Sequence, residues 1–238
     1  MLGASSDPAK WGYVVARAAL AGVHRRGVYL VNRKGGVILG RRAYGSLAEL
    51  PEAPELVVVS VPAEGFEQAV EAALEAGARA IVAISAGLGE LGPAEQERER
   101  AVVERVRAAD AVLLGPNCLG VVDTGTELRL AWGSFRAGPV GLISQSGNLA
   151  LEIGERAAAV GLGISRFASL GNQADLEAVD LLEDFRRHAD THLIALYVED
   201  FRDGRAFARS AGAAVAHGKP VVLLTAGRSE AGVRAALS

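Results

Sequence analysis

Eight short apolar runs recur along the 238-residue chain, and each is nearly continuous rather than alternating with polar residues. Segments of helical character separate most of them. Continuous apolar runs are typical of parallel strands that are covered on both faces. Strands that alternate with helices predict an α/β fold with parallel sheets and right-handed crossovers. The runs span residues 27–32, 55–62, 78–87, 110–117, 138–145, 163–171, 191–199 and 219–227.

The chain is longer than most single domains, so we expect two. The stretch 125–138 has glycine-bounded turns and no helical stripe, which predicts a boundary at about residue 133 and domains spanning 1–133 and 134–238. Only Met1 and Leu2 precede the first glycine, so the first strand of the leading domain is expected to be largely missing. The predicted helices are 11–22, 63–77, 93–109, 147–160, 176–188 and 203–217.

Composition argues against several classes of function. The formal net charge is -3, so we expect no surface for nucleic acid or for an anionic membrane. A single cysteine rules out an internal disulfide and a cysteine-based metal site, and we predict no metal centre. The sequence has neither a signal peptide nor an apolar run of about 18 residues. We therefore expect a cytoplasmic protein without a membrane span.

Small and polar residues follow the predicted strands. Ligands of open parallel sheets bind outside the carboxyl ends of the strands. We therefore expect these residues to line the site. They are Ser60-Val61-Pro62, Ser85-Ala86-Gly87, Gly115-Pro116-Asn117, Ser144 to Gly147, Gly171-Asn172 and Glu199.

The sequence LGASSDPAKWG leads from the strand remnant into a helix. Gly3 permits a tight turn, and Ser5, Ser6 and the first helical N–H groups are suited to hold a pyrophosphate. The pattern is not the G-x-G-x-x-G fingerprint, so a generic strand-to-helix turn remains an alternative. Arg33 and Lys34 stand where an NAD site carries an acidic residue. Cations there suit a ribose that bears a phosphate, as in NADP or coenzyme A, and a solvated basic turn fits equally well.

The sequence SQSG, Ser144 to Gly147, lies between a predicted strand and a predicted helix. A serine there can cap the helix, and the N–H groups at the positive helix end can bind a phosphate. A hydrolase nucleophile elbow, G-x-S-x-G, does not fit, because Ser144 and Asn148 occupy the outer positions around Ser146. A plain helix cap without a ligand remains an open alternative.

Nine motifs in a fixed order carry a resemblance to a known family. They are GASSDPAKWGY, VYLVNRKGG, LVVVSVPAE, AIVAISAGLGE, LLGPNCLGV, GLISQSG, SLGNQAD, LYVED and KPVVLLTAGRSEAG. The series resembles the NDP-forming acyl-CoA synthetases, the superfamily of succinyl-CoA synthetase α-subunits and ADP-forming acetyl-CoA synthetases. The acetyl-CoA branch is the nearer one, because Leu151 stands where the succinate enzymes carry an aromatic residue. The resemblance implies a Rossmann-like CoA-binding domain followed by a flavodoxin-like parallel α/β domain.

The resemblance implies coenzyme A as the ligand of the first domain. Gly3, Ser5 and Ser6 would lie under its pyrophosphate. Lys34 would face the phosphates, and Asn32 would shape the turn. The residues implied to line the adenine and pantetheine path are Ser60, Val61, Pro62, Ser85, Ala86 and Gly87.

Asn117 and Cys118 would lie near the thiol end of coenzyme A. A lone cysteine invites a nucleophile interpretation, but no histidine lies near Cys118 in the sequence. The family's chemistry also needs no enzyme thiol. We therefore predict that Cys118 packs beside the ligand and does not react.

In the resembling family, the helix start at SQSG receives a phosphate carried on a histidine. The resemblance implies that Glu199 orients that imidazole, since a carboxylate on one ring nitrogen makes the other more nucleophilic. A solvated strand-end carboxylate is the alternative for Glu199. The implied phosphate-binding residues are Ser144, Gln145, Ser146, Gly147, Asn148, Gly171 and Asn172.

The family's histidine loop falls beyond Ser238, and none of the four histidines aligns with it. We expect an ATP-grasp subunit or domain as the partner that uses NDP or NTP with Mg, and a homo-oligomer is a further expectation. The family reaction is acyl-CoA plus NDP plus phosphate to acid, NTP and CoA. Two alternatives stay open: a non-catalytic module that binds CoA or acyl-CoA, and an NADP-dependent oxidoreductase. The oxidoreductase is less favoured because the glycine fingerprint is missing.

Overall fold

The computed structural model describes residues 1–226 as alternating strands and helices. The helices are α1 (Trp11–Leu20), α2 (Phe66–Glu75), α3 (Pro93–Ala108), α4 (Gly147–Ala159), α5 (Ala178–Arg187) and α6 (Gly204–Ala216). The strands of the first half are β1 (Leu30–Val31), β2 (Gly36–Ile38), β3 (Arg41–Tyr44), β4 (Leu56–Val59), β5 (Ala80–Ala83) and β6 (Val112–Leu114). Those of the second sheet are β7 (Gly120–Asp123), β8 (Leu128–Ala131), β9 (Ala137–Ser144), β10 (Ile164–Ser169), β11 (Leu193–Val198) and β12 (Val221–Thr225).

Leu2 joins two three-stranded sheets in the first half. It forms parallel bridges to Val31 in β1 and to Val59 in β4. Its N–H donates to the carbonyl of Val58 at 2.8 Å, and the N–H of Ser60 donates to its carbonyl at 3.0 Å. The resulting order is β2-β3-β1-Leu2-β4-β5-β6. With Leu2 counted as strand one and the antiparallel edge strand β2 left out, this is the doubly wound order 3-2-1-4-5-6 of nucleotide-binding domains. The predicted strand remnant therefore holds the central position.

The second sheet has the order β12-β11-β9-β10-β7-β8. Strands β9 to β12 are parallel, and their order is that of a flavodoxin-like sheet. The hairpin of β7 and β8 adds an antiparallel edge next to β10. The eight apolar runs all contain strands, as predicted. Four further strands, β2, β3, β7 and β8, lie outside those runs.

The β7–β8 hairpin connects the two halves. Its strands belong to the second sheet, although they precede the boundary predicted at about residue 133. Helix α1 of the first half packs against β8. The hairpin therefore contacts both halves, and the boundary position stays a prediction.

The hydrophobic core is continuous across the halves. One buried cluster combines Val15 and Leu114 of the first half with Ile143, Leu170 and Ile194 of the second. A second cluster lies beneath α2 and α3. A third fills the face of the second sheet that α4 covers. Within residues 1–226, no helix has the length and hydrophobicity needed to cross a membrane.

Candidate functional site

The glycine turn after Leu2 is packed tightly between β4 and α1. Gly3 adopts a φ of +87°, and a side chain there would overlap the carbonyl oxygen of Ser60. A side chain at Gly12 would overlap the carbonyl oxygen of Gly3. Helix α1 begins after Lys10 without a side-chain cap. The backbone therefore presents a close-packed turn and an uncapped helix start, which is the arrangement that anions favour.

Asn32 fixes the basic turn next to this glycine turn. Its side-chain nitrogen donates to the carbonyl of Ala4 at 2.7 Å, and its side-chain oxygen accepts from the N–H of Lys34 at 2.9 Å. Asn32 thus links the glycine turn to the basic turn. Arg33 and Lys34 are exposed and project from the carboxyl end of β1. Ser6 is exposed as well, whereas the hydroxyl of Ser5 accepts from the N–H of Asp7 at 3.0 Å.

The loops after β4 and β5 are tied to each other. The buried hydroxyl of Ser85 donates to the carbonyl of Val61 at 2.7 Å and accepts from the N–H of Val61 at 3.0 Å. That hydroxyl therefore holds the two loops together. The exposed groups at these strand ends are Pro62 and Ala86. Ser60 and Gly87 are partly exposed, and Gly87 has a φ of +85°.

Asn117 and Cys118 differ sharply in exposure. Asn117 has a left-handed backbone with φ of +55° and an exposed side chain. Cys118 is buried, and its thiol lies 3.9 Å from the carbonyl oxygen of Leu114. Burial raises the pKa of the Cys118 thiol to about 12. A thiol in this state is almost wholly protonated at neutral pH and is a poor nucleophile.

The SQSG segment forms the start of α4, and both of its hydroxyls serve the backbone. Ser146 is the N-cap, and its hydroxyl accepts from the N–H of Leu149 at 3.4 Å. The hydroxyl of the buried Ser144 donates to the carbonyl of Ser146 at 2.6 Å. The first N–H groups of the helix, at Gly147 and Asn148, remain as the groups suited to an anion.

Gln145 connects this helix start to the end of β11. Its side-chain oxygen accepts from the N–H of Glu199 at 2.8 Å and from the N–H of Asp200 at 3.1 Å. Its own N–H donates to the carbonyl of Tyr197 at 2.9 Å. Burial, followed by a hydrogen bond with the Glu199 carboxylate, raises the pKa of Tyr197 to about 12. Because β9 and β11 flank the switch point of the sheet, Glu199 and the start of α4 border one crevice.

Gly171 and Asn172 are held by the first half of the chain. Gly171 has a φ of +57°, and a side chain there would overlap the carbonyl oxygen of Pro116. The side-chain nitrogen of Asn172 donates to Glu90 at 2.8 Å and to Glu99 at 2.9 Å. The side-chain amide of Asn172 is therefore occupied by two carboxylates, and the phosphate-binding role of Gly171 and Asn172 stays a prediction.

The sequence did not reveal the acidic cluster around Asn172. Burial raises the pKa of Glu99. At Glu90, burial acts in the same direction, but hydrogen bonds from Asn172 and from backbone N–H groups outweigh it and lower the pKa. A cavity of about 340 Å³ opens here, and its lining includes Glu90, Glu99, Asn172, Glu177 and Arg202. Helix α3 is polar along most of its length, so no pattern marked Glu99 as a buried residue.

The carboxyl edges of the two sheets are joined by backbone hydrogen bonds. The N–H of Asn172 donates to Pro116, that of Ala174 to Gly115, and that of Leu176 to Leu113, at 2.9, 3.2 and 3.1 Å. The glycine turn and the SQSG helix start therefore belong to edges that meet. All four histidines lie at the opposite, amino edges, since each follows a helix and precedes a strand: His24, His188, His192 and His217. Within residues 1–226, no group of three or more His, Cys, Asp or Glu side chains could hold a metal ion.

Two family models match this architecture. The model described as "CoA binding domain" matches residues 1–124, and the model described as "Succinyl-CoA ligase like flavodoxin domain" matches residues 137–238. The chain belongs to the NDP-forming acyl-CoA synthetase superfamily. The Rossmann-like and flavodoxin-like domains predicted from its motifs are those of this superfamily.

Members of the superfamily resemble the chain over its full length. The α subunit of ADP-forming acetate–CoA ligase I from Pyrococcus furiosus is 37% identical, over 100% of this chain and 53% of the relative. ADP-forming acetate–CoA ligase from Methanocaldococcus jannaschii is 32% identical, over 100% of this chain and 33% of the relative. The chain thus spans about half the length of the first relative and a third of the second.

Two solved structures share the fold. The dinucleotide forming acetyl-coenzyme A synthetase 1 of Ca. Korarchaeum cryptofilum, in complex with phosphate and ADP, matches with a TM-score of 0.92 at 32% identity, over 99% of this chain and 51% of that chain. A crystal structure from Pyrococcus horikoshii OT3 matches with a TM-score of 0.91 at 33% identity, over 98% of this chain and 54% of that chain.

Proposed function

We propose that this chain is the CoA-binding and ligase portion of an NDP-forming acyl-CoA synthetase, which converts acyl-CoA, NDP and phosphate to acid, NTP and CoA. The observation that carries the proposal is the junction of the two carboxyl edges. One edge carries the uncapped start of α1 beside the basic turn at Lys34. The other carries the start of α4, which faces Glu199 at the end of β11, and the junction brings the two edges together. A ligand with phosphates at one end and a reacting group at the other can span such a junction.

The first edge is suited to the nucleotide end of coenzyme A. The N–H groups of Gly3 and Ala4 donate to the carbonyl of Val31, so the turn offers those of Ser5 and Ser6 to the pyrophosphate. The exposed Lys34 offers a charge to the ribose phosphate. Asn32 holds both turns in a fixed relation through its contacts with Ala4 and Lys34. The ligand's pantetheine arm then passes the loops of Val61 and Gly87 toward Asn117.

The second edge is suited to the phosphate that is exchanged with the acyl group. The N–H groups of Gly147 and Asn148 at the positive end of α4 stabilise its charge. Glu199 lies across the crevice and accepts a hydrogen bond from an imidazole that carries the phosphate, which fixes the reactive tautomer. That imidazole and the ATP-grasp portion, with its NDP or NTP and Mg, come from outside this sequence. We also infer a cytoplasmic location, where CoA and nucleotides are available.

The acyl substrate is not fixed by the family. The relatives include ligases of acetate and of 4-hydroxybutyrate and a trans-feruloyl-CoA synthase. We therefore assign CoA and phosphate chemistry to the two edges without naming the acid.

Calorimetry with coenzyme A tests the proposal. We expect CoA to bind, and dephospho-CoA to bind about tenfold more weakly, because one phosphate contact to a lysine is lost. Lys34→Ala should weaken the binding of CoA by a similar factor and leave the affinity for dephospho-CoA unchanged. Arg79→Ala, an exposed cation at the amino edge of β5, is the matched control. Binding of NADP without binding of CoA would overturn the proposal. In a reconstituted enzyme, retained CoA binding without acyl transfer would show a non-catalytic CoA module.

A further inference from the structure

Two tryptophans form an exposed pair on the surface of the protein. Trp11 and Trp132 meet edge to face, with ring centroids 4.6 Å apart and an interplanar angle of 88°. They are 44% and 43% exposed, although large apolar side chains are costly to leave in water. A contiguous exposed aromatic surface is typical of a binding site.

The pair lies where the carboxyl edges of the two sheets come together. Trp11 is the first residue of α1, the helix that follows the glycine turn after the segment 7–10. Trp132 follows β8, which is antiparallel to β7, and β7 is antiparallel to β10. Strand β8 therefore runs in the direction of β10, and its end lies at the same edge as Ser144 and Glu199.

Trp132 also belongs to an apolar surface that reaches α4. The backbone N–H of Trp132 donates to the carbonyl of Leu119 at 3.3 Å. A side chain placed on Gly147 would lie 3.3 Å from Leu119, and one placed on Gly133 would overlap Leu151 in α4. The surface formed by Trp11, Trp132 and the partly exposed Leu151, here called the tryptophan wall, is backed by the buried Leu119 and extends from the start of α1 to the start of α4.

We propose that the tryptophan wall binds the acyl group and favours acids with a flat aromatic substituent over acetate. This inference rests on the proposed function, because the wall lies between the residues assigned to the pyrophosphate and those assigned to the transferred phosphate. The part of an acyl-CoA between those groups is the uncharged pantetheine arm and the thioester with its acyl group. An aromatic ring can stack on one indole while its own edge contacts the face of the other. An acetyl group offers the two rings much less contact area than an aromatic ring does.

Calorimetric titration of CoA, acetyl-CoA and phenylacetyl-CoA into the full chain tests the inference. The wild-type protein should bind phenylacetyl-CoA about tenfold more tightly than acetyl-CoA. Trp11→Ala and Trp132→Ala should each remove most of this preference while CoA itself binds within twofold of the wild type. Trp132→Phe retains a ring and should keep part of the preference. Val160→Ala, which removes an exposed apolar surface at the end of α4, should change none of the three affinities.

Phenylacetyl-CoA should also quench the tryptophan fluorescence more strongly than acetyl-CoA does. Equal affinities of the wild-type protein for the two acyl-CoAs would overturn the inference, as would a preference that survives both alanine variants. In either case CoA would still bind and the proposed function would stand. Failure of CoA itself to bind would instead overturn the proposed function, and with it the assignment of the tryptophan wall to the acyl group.

Discussion

Gln145 links the backbone of Glu199 to the start of α4 by a hydrogen bond. The side-chain oxygen of Gln145 accepts from the N–H of Glu199 at 2.8 Å, across the switch point between β9 and β11. The amide of one SQSG residue thereby sets the position of the strand-end carboxylate relative to the helix that we assign to phosphate. The glutamine is needed for its reach and its acceptor oxygen, whereas the neighbouring serines serve the backbone of the turn.

Gln145→Leu should destabilise the protein by about 1–3 kcal/mol, because the N–H groups of Glu199 and Asp200 lose their acceptor. Urea unfolding followed by circular dichroism measures the loss. Gln68→Leu, on an exposed position of α2, should change stability by less than about 0.5 kcal/mol. Equal effects of the two substitutions would show that the Gln145 contacts are not significant.

Gly171→Ala should destabilise the protein by at least about 2 kcal/mol. The φ of +57° disfavours any side chain, and a Cβ would overlap the carbonyl oxygen of Pro116. Gly212→Ala, inside α6 with open space around it, should instead stabilise the protein by up to about 1 kcal/mol. The melting temperatures of the two variants should therefore shift in opposite directions from that of the wild type. A Gly171→Ala variant with unchanged stability would contradict the close packing of the two edges.

The sequence predicts the buried strands far better than the edge strands. All eight apolar runs contain strands, because strands covered on both faces must be apolar throughout. Strands β2 and β3 carry exposed residues such as Val37, Arg41 and Arg42, so their pattern is not distinct from that of a loop. Strands β7 and β8 are short and pair antiparallel at the edge of the second sheet.

In the candidate site, too, the sequence predicts some features and misses others. Residues that end or follow a buried strand, such as Gly3, Ser144 and Glu199, could be placed at the carboxyl edges from the sequence. Contacts between distant segments could not. Asn172 follows a strand too, but its amide meets Glu99, 73 residues earlier in the chain, and no local pattern encodes that pairing. Trp11 and Trp132 meet for the same reason, through the packing of α1 on the hairpin.

Glu99→Gln should stabilise the protein at pH 7. Burial raises the pKa of Glu99 in the folded state, so ionisation of the carboxyl costs stability as the pH rises through and above its usual range near 4.5. Glutamine keeps an oxygen that can accept from the Gly89 N–H and from Asn172. We expect a gain on the order of 1 kcal/mol at pH 7, which disappears below about pH 4 where both side chains are neutral.

Urea unfolding of both proteins between pH 4 and pH 8 measures this difference. The contribution of Glu90, whose pKa is lowered and whose stabilisation is lost as the pH falls, is present in both proteins and largely cancels. Glu97→Gln, at an exposed position of the same helix, should show a small effect that does not depend on pH in this way. A stability difference for Glu99→Gln that is constant from pH 4 to pH 8 would refute the expected role of its charge.

Cys118 should be inert in the folded protein. Its buried thiol, with a pKa raised to about 12, offers almost no thiolate at pH 8. Iodoacetamide should therefore modify Cys118 slowly in the native protein and rapidly in 6 M guanidinium, which mass spectrometry distinguishes. Cys118→Ala should keep CoA affinity within about twofold and cost about 1–2 kcal/mol of stability, because a small buried group is lost from the core. Rapid labelling of the native protein, or loss of acyl transfer in Cys118→Ala with CoA binding retained, would instead give the thiol a chemical role.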